Sequence, residues 1–365
     1  MKPPESSLTL PKPIASLADI VRLREGGRER DGYVGLDRNE RLAPLPGAVI
    51  AEIRAGIDSS LLTGYPSLDA LYEDLADVLA TPRENLLLTP GSDAAFRALH
   101  QVYVRPGDRV VMLDPSYAMY PIYARMFGAT PVQVPFADDL SLGEDLLLEA
   151  IGPGVRMVLL ADPNQPTGTS LPAEVLRGVL ERAGECAALV VVDEAYFPFS
   201  KHTVLSWVAE HPRLVVTRTF SKAWGLAGLR VGLIVAHPEV VANLYKVRSA
   251  YDVNAVAALC VRTLLARPEV AAQFVAEVDA GRRTLAQRLP ALGLTPLPGE
   301  TNFQLIRCAE RIEPGVLVDL VHDRGYLVKG PFTAPCLADC IRVTIGPSAL
   351  MAQFCDVLEQ VLDGH

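Results

Sequence analysis

The stretch Leu189-Val190-Val191-Val192 is aliphatic from end to end and stops at Asp193. A strand with one wet face alternates apolar and polar residues, so a run without alternation belongs to a sheet covered on both sides. Comparable runs lie at 86–88, 110–113, 131–135, 155–161, 214–216 and 231–236. Helix-length segments at 46–55, 71–78, 93–104 and 172–183 are interspersed with them. This rhythm predicts an α/β fold whose large, mostly parallel sheet is sandwiched by helices. In such a sheet ligands sit beyond the carboxyl ends of the strands. The polar clusters that fall there are Gly91-Ser92-Asp93, Asp162 to Gly168, Asp193 to Tyr196, and Ser221-Lys222.

Lys222 stands on the link between the runs 214–216 and 231–236. An amine at the end of a buried strand is partly desolvated, which lowers its pKa and frees a nucleophilic lone pair, as a Schiff-base lysine requires. Ala223, Gly225, Ala227 and Gly228 would let a flat ring come close to the backbone. Asp193, ending an apolar strand, needs a cationic partner. A protonated ring nitrogen would supply one, as in pyridoxal 5'-phosphate held by a lysine. Tyr196 is placed to reach that cofactor's phenolic oxygen, and Tyr117 to stack on its ring. Gly91-Ser92-Asp93 opens a helix, where free N–H groups and the positive dipole end favour a phosphate. Ser221 and Arg230 would add a hydroxyl and a charged fork to the same phosphate. Arg342, inside the apolar run 340–345, calls for an anion, and a substrate carboxylate is the natural one.

After His237-Pro238 the pattern turns to helices at 239–247, 253–266 and 269–288, then strands at 302–306, 326–329 and 340–345 with helices at 316–322 and 350–362. The expected division is an N-terminal arm, 1–45, packing on a small domain or a partner subunit, a large cofactor-binding domain, 46–250, and a smaller α+β domain, 251–365. A short helix is expected near 17–23. With a net charge of -9 the chain is a poor nucleic-acid ligand. No apolar run approaches the roughly 20 residues of a membrane span. The six cysteines are scattered without metal spacing, which fits a reduced, cytoplasmic protein with no metal site.

Taken together, Asp162-Pro163-Asn164-Gln165-Pro166-Thr167-Gly168, Asp193-Glu194-Ala195-Tyr196, Ser221-Lys222-Ala223 and Gly228-Leu229-Arg230-Val231-Gly232 resemble the fold-type-I pyridoxal-phosphate aminotransferases. Tyr65-Pro66, Asp114-Pro115-Ser116-Tyr117, Glu300-Thr301-Asn302-Phe303 and Arg342-Val343-Thr344-Ile345-Gly346 are similar to the histidinol-phosphate aminotransferase group within them. The resemblance implies a seven-stranded sheet and amino transfer in amino-acid biosynthesis. The donor would be an amino acid or amino alcohol phosphate, histidinol phosphate foremost, and the acceptor a 2-keto acid such as 2-oxoglutarate. It implies that Lys222 bonds the cofactor and shuttles the proton, and that Asp193 holds the pyridinium. Ser92, Asp93, Thr219, Ser221 and Arg230 would hold the phosphate. Tyr65 would reach the cofactor phosphate of a neighbouring subunit, which makes a homodimer with shared sites. Asn39, Lys329 and Arg342 would bind substrate.

This chain departs from the family in three places. Gln165 stands where the family has an asparagine that bonds the phenolic oxygen, so either the loop shifts or Asn164 substitutes. Lys329 replaces an arginine, and no aromatic matches near Ser16-Leu17. An alternative of the same fold is a decarboxylase or lyase resembling threonine-phosphate decarboxylase, because the bond broken depends on which one the pocket holds perpendicular to the ring.

Overall fold

The computed structural model describes residues 14–17, 20 and 30–364. It opens with β1 (Val34–Gly35) and the helices α1 (Gly47–Gly56), α2 (Ser59–Thr63) and α3 (Asp69–Leu79). Then come β2 (Leu86–Thr89), α4 (Ser92–Tyr103), β3 (Arg109–Asp114), α5 (Met119–Met126), β4 (Thr130–Pro135) and α6 (Glu144–Ala150). The middle of the chain holds β5 (Val155–Ala161), α7 (Ala173–Glu185), β6 (Leu189–Asp193), β7 (Leu214–Thr219) and β8 (Gly232–Ala236). The helices α8 (Pro238–Tyr245), α9 (Ala255–Leu265) and α10 (Pro268–Arg288) follow. Last are β9 (Thr295–Pro296), β10 (Phe303–Arg307), α11 (Pro314–Asp323), β11 (Tyr326–Leu327), β12 (Cys340–Thr344) and α12 (Ser348–Asp363). Of the helix expected at 17–23, the structure describes a 3-10 turn at Ala15–Leu17, and most of the remainder lies outside the described residues.

The large sheet has seven strands in the order β2-β8-β7-β6-β5-β3-β4, and only β8 runs antiparallel to its neighbours. The aliphatic runs are its strands, and both faces are covered. Val190 and Val192 enter a core with α1, α3, α7 and α9, whereas Leu189 and Val191 enter another with α4, α5 and α8. Each fully buried valine of this kind contributes about 1.5–3 kcal/mol. The two-residue period puts Asp193 on the α4/α5 face at the end of β6, in register with Ala161 on β5 and Thr217 on β7.

A third core joins α10, α11 and α12 to the small antiparallel sheet β12-β10-β9, and takes in Leu36 and Ala43. Strand β11 pairs in parallel with β1 instead of joining that sheet. Helix α9, which the sequence suggests should go with the second unit, packs into the first core through Ala257, Val261 and Leu264. On β12, Ile341 and Val343 face the third core. The alternation therefore turns Arg342 to the other side. All six cysteines are free thiols. Among the described residues no helix is long and apolar enough to cross a membrane.

Candidate active site

One cleft opens at the carboxyl ends of β5, β6 and β7. Ser92, Asp93, Tyr117, Gln165, Asp193, Tyr196, Thr219, Ser221, Lys222 and Arg230 line it. These ten come from six separate stretches of chain, and the strand ends bring them together.

One end of the cleft is built from β2, α4 and β8. Gly91 has φ +82, and its N–H bonds back to the Thr89 carbonyl at 2.8 Å, so α4 starts abruptly at the sheet edge. Gly232 allows β8 to lie against this turn, because a Cβ there would come 2.6 Å from the Gly91 carbonyl carbon. Arg230, in the left-handed region at φ 54, folds back over Gly91 and donates to Ser221 Oγ at 3.3 Å. Thr219 Oγ1 and Ser221 Oγ are 3.0 Å apart. Two hydroxyls, a guanidinium and a helix N-terminus thus face one spot. The Asp93 carboxylate accepts from Tyr117 at 2.9 Å through Oδ1, while its Oδ2 lies 3.6 Å from Arg230 Nη2.

At the opposite end Asp193 is buried with only hydroxyl side chains as donors. Tyr120 donates to Oδ2 at 2.7 Å and Thr217 to Oδ1 at 2.8 Å. Burial pushes its carboxyl up to about 6 against those two bonds. Lys222 Nζ donates to the carbonyls of Arg38 and Asn39, each at 3.2 Å. Burial first, then the Arg342 charge, brings its amine down to about 8.

Above Lys222, Tyr196 donates to Gln165 Oε1 at 2.7 Å and accepts from Asn39 Nδ2 at 2.8 Å. Asn39 is buried at φ 57, with its N–H bonded to Thr344 Oγ1 at 2.9 Å and its Oδ1 without a partner among the described residues. Arg342 is 5% exposed, donates from Nη2 to the Asp37 carbonyl at 2.7 Å, and has no partner on Nε among the described residues. Exposed Lys329 is paired with it through the backbone and borders an adjoining cleft with Arg38.

Two of the expected residues stand elsewhere. The Asn164 side chain is buried in its own loop, accepting from Ser116 Oγ at 2.7 Å and donating to Pro115 O and Thr167 Oγ1. Tyr65 is 81% exposed and stacks on Tyr251 with centroids 4.3 Å apart. Sequence reasoning missed Tyr120 and Thr217. The only signal for Tyr120 is its place one helical turn after Tyr117, and Thr217 shows only through its register with Asp193.

Residues 32–358 match the family described as aminotransferase class I and II. The histidinol-phosphate aminotransferase of Symbiobacterium thermophilum is 37% identical over 90% of this chain and 90% of its own. That of Roseiflexus castenholzii is 32% identical over 96% and 94%. Among solved structures, histidinol-phosphate aminotransferase from Sinorhizobium meliloti, in complex with pyridoxal-5'-phosphate, superimposes with a TM-score of 0.87 and 26% identity, covering 98% of this chain and 100% of that one.

Proposed function

This chain belongs to the class I and II aminotransferases and depends on pyridoxal phosphate, and on that footing we propose that the cleft holding Lys222 is its active site, with an amino alcohol phosphate, histidinol phosphate, as donor. The acceptor is a 2-keto acid such as 2-oxoglutarate. One observation carries the reading: Asp193, at the end of β6, and Lys222 and Arg230, on the link between β7 and β8, line the same cleft.

The cofactor fits the residues present. Gly91 leaves the space that the Arg230 fork occupies, so a phosphate at the start of α4 would meet a guanidinium, the Thr219 and Ser221 hydroxyls and the N–H groups of Ser92 and Asp93. Asp193 is a buried anion without a cationic hydrogen-bond partner, which suits a ring N–H⁺. Gln165 and Tyr196 would meet the phenolic oxygen, Tyr117 the ring face, and Lys222 the aldehyde. Asn164, engaged within its loop, would act by holding Gln165 in place. When bound, pyridoxal phosphate supplies an electron sink for the carbon that loses its proton.

The side chains then divide the work. Lys222 Nζ, its amine brought down to about 8 so that a neutral fraction exists at physiological pH, would take the proton from the substrate carbon and deliver it to the cofactor's C4′ carbon. Arg342, with Nε unpaired among the described residues and the Phe303 ring 5.2 Å from its guanidinium carbon, binds the carboxylate of the acceptor or the phosphate of the donor. Asn39 lines the substrate side. Lys329 and Arg38, which both line the adjoining cleft, add positive charge for a doubly charged group. We place the second chain of a homodimer against Tyr65, whose exposed ring would reach the partner's phosphate site, and we place the protein in the cytoplasm.

The test is a donor series with 2-oxoglutarate, following glutamate formation and carbon dioxide release. Histidinol phosphate should exceed histidinol at least hundredfold in kcat/KM. Equal rates would discard the phosphate assignment, and stoichiometric carbon dioxide would discard simple amino transfer.

A further inference from the structure

Tyr120 is absent from every role assigned above, yet it is the most buried tyrosine beside the cleft. Helix α5 covers the sheet face to which the two-residue period directs Asp193, so the phenol arrives from the side. Its ring is wedged edge-on against Phe96 (5.1 Å, 79°) and Tyr117 (5.4 Å, 81°), which fixes where the hydroxyl points. That direction is Asp193 Oδ2, at 2.7 Å.

We propose that Tyr120 is a positioning residue for amino transfer: by donating to Asp193 it keeps that carboxylate a weak enough base to leave the proton on the cofactor's ring nitrogen. This rests on Asp193 facing that nitrogen. Burial opposes the anion, and the hydrogen bonds from Tyr120, Thr217 and the Ala195 N–H offset it. The charged and titratable groups around Asp193 are Asp93 on α4, whose charge disfavours the anion, Tyr117 ahead of α5, Tyr196 after β6, and Lys222 after β7, whose cation favours it. None of these bonds to the carboxylate; among the described side chains Tyr120 and Thr217 do, and of those two only Tyr120 titrates. Without its hydroxyl one oxygen is left bare, the carboxylate becomes more basic, and the proton moves from the ring nitrogen to Asp193. The electron sink weakens although every residue touching substrate is still in place. Because Tyr117 packs edge-on against the same ring, α5 fixes the stacking tyrosine and the carboxylate together.

The experiment uses cofactor-loaded protein. Tyr120→Phe keeps the ring and removes only the oxygen. It should lower kcat about tenfold with KM within twofold, and move the acid limb of the kcat profile up by about one pH unit, the size of one charge-assisted hydrogen bond. The ¹⁵N resonance of labelled cofactor should shift toward the unprotonated value. If the phenylalanine variant folds poorly, 3,5-difluorotyrosine at position 120, isosteric and a stronger donor, should move the acid limb downward. A lower melting temperature with unmoved acid limb and nitrogen resonance would make Tyr120 purely structural and overturn the proposal. Asp193→Asn is the control: if it too leaves the nitrogen resonance unchanged, the placement of the cofactor fails; if it alone shifts it, only the role of Tyr120 fails.

Discussion

Arg230 lies so close over Gly91 that a side-chain carbon on the glycine would meet its Nη2 at 2.5 Å. The turn backbone and the guanidinium thus form one surface, and neither can change alone. Gly91→Ala must push the fork away and also bears the cost of φ +82, about 1 kcal/mol. Loss of one charged hydrogen bond is worth about 1.5–3 kcal/mol. The expected outcome is a cofactor dissociation constant raised at least tenfold, read by absorbance titration, with substrate preference unchanged. Unaltered cofactor affinity would place the phosphate elsewhere.

With the proposed role for Lys222, an amine brought down to about 8 by burial and then by Arg342 should make cofactor capture pH-dependent. Only the neutral amine attacks an aldehyde, so the capture rate of cofactor-free protein should rise with pH and level off above about 8. An ordinary lysine would keep gaining beyond pH 10. Lys222→Ala should abolish borohydride trapping of the cofactor. A midpoint near 10 in stopped-flow absorbance would mean that the amine is solvated.

The sheet and most of this cleft were legible because their signals are local. Aliphatic runs report burial on both faces, and those of β5, β6 and β7 end in residues of the cleft. The helix α5 was not legible: Met119 to Met126 is short, rich in tyrosine and interrupted by Pro121, so its period is weak. With α5 went Tyr120. The choice between Asn164 and Gln165 also lay beyond sequence, since adjacent amides differ only in which way the loop turns them. Contacts of Lys222 with the Arg38 and Asn39 carbonyls were hidden for another reason. They depend on the segment after β1 returning beside β12, where Thr344 Oγ1 holds the Asn39 N–H.

Asp193 should cost the cofactor-free protein stability at the pH where the enzyme works. Its folded pKa, about 6, lies above the unfolded value of about 3.9. The folded state therefore binds the proton more tightly, and its advantage, complete below pH 4, is lost as pH rises through 6. The loss at pH 7.5 is about 3 kcal/mol at most. Asp193→Asn, neutral throughout but a poorer acceptor for two hydroxyls, should stabilise cofactor-free protein by about 1–2 kcal/mol at pH 7.5 and not at pH 4. Urea denaturation at both values measures this. The same substitution should reduce turnover at least a hundredfold.

The exposed Tyr65–Tyr251 stack makes the last prediction one of complementation. If the Tyr65 ring serves a neighbour's phosphate site, each active site takes Lys222 from one chain and Tyr65 from the other. Tyr65→Ala and Lys222→Ala homodimers would then each be impaired at both sites. In a hybrid of the two, one site loses both residues and the other keeps both. Co-expressed variants, separated by different affinity tags and sized by light scattering, should give hybrids with about half the wild-type turnover per dimer, since one of two sites is intact. Hybrids no more active than the Tyr65→Ala homodimer would show that Tyr65 acts within its own chain. A monomer in solution at working concentrations would remove the shared site altogether.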